Sequence, residues 1–136
     1  MEIVNVKGLE KAVVGVVEDG AVAGLAVLRG PAFPGTSKKQ TFYHAKLALS
    51  EQECYQFQAR LRDPLAEPML VSVQKRQYVP VTIGRQTVYA RAAGGGGQGV
   101  VLMSTRTRRY ILVVTHNATT SSGHIVGLVA RAAMKL

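Results

Sequence analysis

Five short runs between Met69 and Thr115 do most to limit what this chain can become. Met69–Val73, Tyr78–Ile83, Gln86–Arg91, Val100–Ser104 and Tyr110–Thr115 are rich in valine, isoleucine, threonine and tyrosine. Such side chains suit a pleated, half-buried surface. Gln74–Gln77, Gly84-Arg85, Ala92–Gly99 and Thr105–Arg109 separate the runs as polar or glycine-bearing tips. Tips this short join antiparallel neighbours, so the stretch reads as a meander. Pro80 has no N–H for the ladder, which puts its strand at an edge, at a bulge or in a local irregularity.

Ahead of the meander, Lys11–Val17 and Ala21–Leu28 are apolar, valine-rich runs joined by Glu18-Asp19-Gly20. An Asp-Gly pair in that setting predicts a β-hairpin. Gly24 predicts a bulge or a close approach by another element. Arg29–Lys39, with Gly30, Pro31, Pro34 and Gly35, reads as a surface loop, and Thr41–Leu49 fits a short helix or an extended segment equally well. Ser50 and Glu53 form a capping box for a helix that Asp63-Pro64 stops, with Cys54, Phe57 and Leu61 on one face. A terminal helix follows a polar loop at Asn117–Ser122, with Ser121 or Ser122 as its cap. Ile125, Leu128, Val129, Ala132 and Leu136 form its apolar stripe, and His124, Gly127, Arg131 and Lys135 another face. The expected order is two strands, a helix, five strands and a terminal helix. That is an α+β fold, an antiparallel sheet of about seven strands packed against helices, in one domain spanning 1–136.

The charge is one-sided. All eight carboxylates lie at or before Glu67, and eight cations balance them there. Lys75, Arg76, Arg85, Arg91, Arg106, Arg108, Arg109, Arg131 and Lys135 carry the whole net charge of +9. Such a field favours encounter with anionic partners. An apolar content of 47% argues against disorder. No apolar run approaches the ~18–20 residues of a membrane span. The first residues lack the order of a signal peptide, and Cys54 is alone, so a reducing, cytoplasmic setting is expected.

Catalytic motifs are weak. Gly94–Gly99 satisfies G-x-G-x-x-G, but Val100-Val101-Leu102-Met103 follows as a strand, where a dinucleotide site needs a helix N-terminus. His44, His116 and His124 lack zinc-ligand spacing, and the basic half has no carboxylate for a triad. Asn117-Ala118-Thr119 is a glycosylation sequon of a kind that arises by chance, and Cys54 falls on an inner helix face. No enzyme, cofactor or metal is expected.

The ordered elements resemble the profilin family. Ala12–Val22 is similar to its early strand, acidic-glycine turn and second strand. Gln74-Lys75-Arg76-Gln77-Tyr78 resembles its glycine-glycine-x-lysine-tyrosine hairpin, with both glycines missing. Val88-Tyr89-Ala90-Arg91-Ala92-Ala93-Gly94-Gly95 resembles its strand running into a glycine loop, and Ser122-Gly123-His124-Ile125 the opening of its last helix. The resemblance covers roughly residues 12–136, with Thr36–Leu49 standing as an insertion.

The resemblance implies a monomer that binds monomeric actin, regulates its polymerisation, works in the cytoplasm with the cytoskeleton, and docks peripherally on phosphoinositide-containing membranes. On that basis the actin candidates are Lys75, Arg76, Arg91, Gly127, Leu128 and Arg131. The lipid candidates are Lys75, Arg76, Arg91, Arg106, Arg108 and Arg109. The family's proline-rich-peptide site stacks proline rings on aromatic walls. Here Ala23 and Lys135 stand at two of its aromatic positions, the chain has no tryptophan, and the segment before the first strand is shorter than the family's N-terminal helix. Proline-rich binding is therefore expected to be lost or relocated. Two other classes compete. A roadblock- or longin-like scaffold that dimerises or holds a small GTPase needs a wide exposed apolar helix face. A basic nucleic-acid binder needs interleaved aromatics, and Tyr78, Tyr89 and Tyr110 are all that the basic half supplies.

Overall fold

The computed structural model describes residues 6–30, 40–62, 70–118 and 120–136. Helix α1 (Val6–Val17) leads into β1 (Val22–Arg29) and β2 (Thr41–Ala45), then helix α2 (Glu51–Arg62). The meander is β3 (Val71–Val73), β4 (Arg76–Ile83), β5 (Thr87–Ala92), β6 (Gly99–Ser104) and β7 (Tyr110–His116), and helix α3 (Ser122–Ala133) closes the chain. The seven strands form one sheet in the order β2-β1-β7-β6-β5-β4-β3, and every neighbouring pair is antiparallel.

The meander follows its pattern. The register shifts between Pro80 and Thr82, where β4 accommodates the missing donor as a bulge. A second shift lies between Val22 and Gly24, and a Cβ on Gly24 would come within 2.9 Å of both the Lys46 carbonyl oxygen and the Leu47 Cβ. Gln74 and Lys75 turn the β3–β4 hairpin with φ of 50° and 68°. These are the left-handed values a two-residue turn requires, held here without glycine.

The start of the chain departs from its pattern. Lys11–Val17 belongs to a helix and is not one arm of a hairpin. Leu9, Ala12, Val13 and Val16 recur at the helical period and are buried, and they bring α1 against α3 and β1. Valine in a helix costs at most about 0.7 kcal/mol relative to alanine. Burying its side chain returns roughly 1.5–3 kcal/mol, so the tertiary contact decides. Glu18-Asp19-Gly20 then turns helix into strand, and the Ala21 N–H donates to Asp19 Oδ1 at 2.9 Å. The expectation that no helix precedes the first strand fails with it. Thr41–Ala45 supplies the remaining strand, pairing with β1 at the sheet's edge.

Helix α2 starts as its capping box dictates: the Ser50 N–H donates to Glu53 Oε1 at 3.0 Å and the Glu53 N–H to Ser50 Oγ at 3.1 Å. Its Cys54, Phe57 and Leu61 are buried against one face of the sheet. Burial pushes the Cys54 thiol above its ordinary pKa. α1 and α3 cover the other face. The Ser121 cap accepts from the His124 N–H at 3.2 Å. The loop read at Arg29–Lys39 and the stop at Asp63-Pro64 lie outside the described residues, apart from Arg29, which is buried in β1, and Gly30.

Candidate interaction surfaces

The sheet register sorts the cations into two groups. At one end of the strands lie the β3–β4 turn, the glycine loop between β5 and β6, and the end of β7, because Arg91 pairs with Gly99 and Gly99 with His116. Lys75 and Arg76 border a cleft of about 440 Å³ there with Gly94, Gly95 and Gln98. Gly95, Gly96 and Gly97 all take positive φ, between 78° and 91°, so the loop depends on glycine. Arg91 is exposed on β5, its guanidinium 5.9 Å from the Tyr89 ring centroid.

At the other end lie the β4–β5 and β6–β7 turns, because Ile83 pairs with Val88, Thr87 with Met103 and Ser104 with Ile111. Arg85, Arg106, Arg108 and Arg109 are exposed on these turns. Four or five residues of strand, roughly 15 Å, separate the two ends. The structure therefore does not gather the six lipid candidates on one face. Lys75, Arg76 and Arg91 share one end, and Arg106, Arg108 and Arg109 share the other.

Helix α3 divides its candidates too. Leu128 and Arg131 face α1 and line, with Ala12, Gly15, Val16, Ala132, Met134 and Lys135, a groove of about 390 Å³ between the two helices. At 3.6 residues per turn, Gly127 falls on the outward crest, and Val126, Ala130 and Ala133 on the flank away from α1. Arg91 lies on the sheet face that α3 covers, opposite Val79, whose side chain is 45% exposed. Val81, at the bulge, is 60% exposed. Val79 and Val81 were not singled out from the sequence, where alternation along β4 gave no sign that its apolar positions face water. Ala23 and Lys135 are not neighbours. Ala23 lines a separate cleft of about 360 Å³ with Val73, Tyr78 and His116, while Lys135 borders the helix groove.

Two further contacts went unread in the sequence because they join distant positions. His124 Nε2 sits 2.9 Å from Asp19 Oδ2 and ties the start of α3 to the end of α1. The Ala21 N–H first, and then His124, hold the Asp19 carboxyl below its ordinary pKa. Asn117 reinforces this corner, its Nδ2 donating to the Gly20 carbonyl at 3.1 Å and its backbone N–H to the Ala21 carbonyl at 2.9 Å. Among the described residues no helix is long and apolar enough to cross a membrane.

No family model and no curated sequence matches the chain. Solved structures do. LokiProfilin1 superposes with a TM-score of 0.74 at 16% identity, over 96% of this chain and 94% of that one. The same protein in a complex with rabbit actin gives 0.73 at 15%, over 96% and 93%. Profilin of Schizosaccharomyces pombe gives 0.72 at 17%, over 92% and 90%. Taken with the seven-stranded antiparallel sheet and its helices on both faces, this likeness shows that the chain has the profilin fold.

Proposed function

We propose that this chain binds monomeric actin in the manner of a profilin, restrains spontaneous nucleation, and attaches peripherally to phosphoinositide-bearing membranes. The observation that carries the reading is the likeness, over almost the whole chain, to a profilin seen in complex with actin. The surface chemistry supports it. Val79 and Val81 present an apolar patch beside Arg91, near the flank of α3, with Lys75 and Arg76 at the same end. Exposed apolar groups rimmed by cations suit a partner with an acidic surface. Of the helix candidates, Gly127 lies on the crest of α3, and Leu128 and Arg131 lie beyond it on the side that faces α1. The role is one of masking and release, acting in the cytoplasm alongside the cytoskeleton, and it requires no catalytic group.

The test is spontaneous assembly of pyrene-labelled actin from the same organism. The protein should lengthen the lag in proportion to its concentration. An unchanged lag at large molar excess would remove the reading.

A further inference from the structure

Among the described residues the fold gives the charges an end-to-end polarity. Of the five carboxylates among the described residues, four lie at the end of the β3–β4 turn. Glu18 and Asp19 follow α1 beside Asn117 and His124, and Glu51 and Glu53 open α2 beside Gln74, whose N–H donates to Glu53 Oε2 at 2.6 Å. The fifth, Glu10, lies within α1. At the opposite end Arg85, Arg106, Arg108 and Arg109 project from two neighbouring hairpin tips. These tips are joined by the Ser104 N–H, which donates to the Gln86 carbonyl at 2.7 Å. Tips on paired hairpins stand about 10 Å apart, close to a Debye length, so their fields add. α2 also finishes at this end, since Gln58 Nε2 donates to the Arg29 carbonyl at 3.0 Å and Arg62 lies one turn beyond.

We infer that an anionic bilayer docks end-on against the arginine tips of the β4–β5 and β6–β7 hairpins. Docked in this way, the molecule leaves Lys75, Arg76 and Arg91 facing away from the membrane. The inference rests on the membrane affinity proposed above and deepens it by naming the surface. Guanidinium groups match phosphate oxygens in a planar, forked geometry. Nucleic acid fits less well, because single strands bind through exposed aromatic platforms and Tyr110, the aromatic nearest the tips, is half-buried and pairs with Phe42 in a T-shaped contact at 5.8 Å. With four of the five described carboxylates at the far end, a molecule approaching a negative surface is also turned arginine-first.

The experiment is sedimentation of the full chain with phosphatidylcholine vesicles, with and without phosphatidylinositol bisphosphate, across a salt series. Wild type should be captured only by the anionic vesicles, and salt should release it. Arg106→Glu with Arg109→Glu should weaken capture by roughly tenfold or more, given the contribution of each cation near a charged bilayer. Arg85→Glu, on a different turn, should weaken it independently, and Lys75→Glu with Arg76→Glu should leave most of it. Thermal melting of each variant should match wild type, as exposed turns predict.

Absence of wild-type capture would remove the membrane reading itself. Capture abolished by the Lys75 and Arg76 reversals but not by the arginine reversals would overturn the placement alone. Full displacement by free inositol phosphate at equal headgroup concentration would indicate a headgroup pocket and overturn the surface. Stronger competition by single-stranded RNA at equal phosphate would assign the tips to nucleic acid.

Discussion

The Tyr89 hydroxyl lies 2.8 Å from Nε2 of His116, and the two rings stack 5.7 Å apart and within 5° of parallel. His116 is buried, and its Nδ1 lies 2.7 Å from the Asn117 carbonyl oxygen, which can only accept. In the neutral ring Nδ1 therefore carries the proton, and the Tyr89 hydroxyl donates to Nε2. Gly99 completes the arrangement between them on β6. A Cβ there would collide with the His116 ring nitrogen and approach the Tyr89 oxygen to 2.8 Å. The trio pins β5, β6 and β7 together directly below the glycine loop.

Gly99→Ala should therefore destabilise the fold by about 1–3 kcal/mol through overpacking. Tyr89→Phe, which leaves a buried ring nitrogen without its donor, should cost a similar ~1–3 kcal/mol. Urea unfolding of both variants checks this. Full stability in Gly99→Ala would mean that the ring pair shifts freely, contrary to its burial.

The corner at Asp19 gives a pH dependence with a definite sign. A carboxyl held below its unfolded value, ~3.9, stabilises the fold above that value and loses the contribution as pH falls through the folded one. Asp19→Asn keeps an oxygen for the Ala21 N–H but cannot titrate. Melting temperatures of wild type should fall more steeply than those of Asp19→Asn as pH drops below ~4. Parallel curves would show that the carboxyl is not held in this way.

Lys75 sits in a left-handed turn position at φ 68°. Such a conformation costs a non-glycine residue roughly 1–2 kcal/mol, part of which glycine's greater unfolded entropy offsets. Lys75→Gly should raise stability by a few tenths to about 1 kcal/mol in denaturant titration. A loss of stability would mean that the lysine side chain makes a contact worth more than the strain.

The eight residues lining the groove between α1 and α3 include no aromatic side chain. Proline rings have no flat wall to stack on there, so retention on poly-L-proline should be weak or absent. Retention that survives high salt would show that an aromatic set elsewhere has taken over, with Phe42, Tyr43 and Tyr55 the first to replace by alanine.

Much of this molecule is legible from local chemistry. The Ser50–Glu53 box and the stripe of Cys54, Phe57 and Leu61 specify α2 without help from the rest of the chain. The meander is equally local, since each strand is bounded by its own turn. The first helix is not legible locally, because Val13, Val14, Val16 and Val17 favour strands, while the packing that overrides them comes from α3, more than a hundred residues on. The site is less legible for the same reason. Net charge is a property of the sequence, but which end of a sheet each arginine reaches depends on register. Arg91 and Arg106, fifteen positions apart in the sequence, thus stand at opposite ends of the sheet. His124 and Asp19, 105 positions apart, show the reverse.

The most direct measurement of the central claim is sedimentation velocity of the purified protein with monomeric actin from the same organism. A one-to-one complex should form, and Arg91→Glu, on the face beside Val79, should weaken it by roughly tenfold or more, as expected for an arginine near the centre of an interface. Independent sedimentation of the two proteins at every concentration tried would contradict the account.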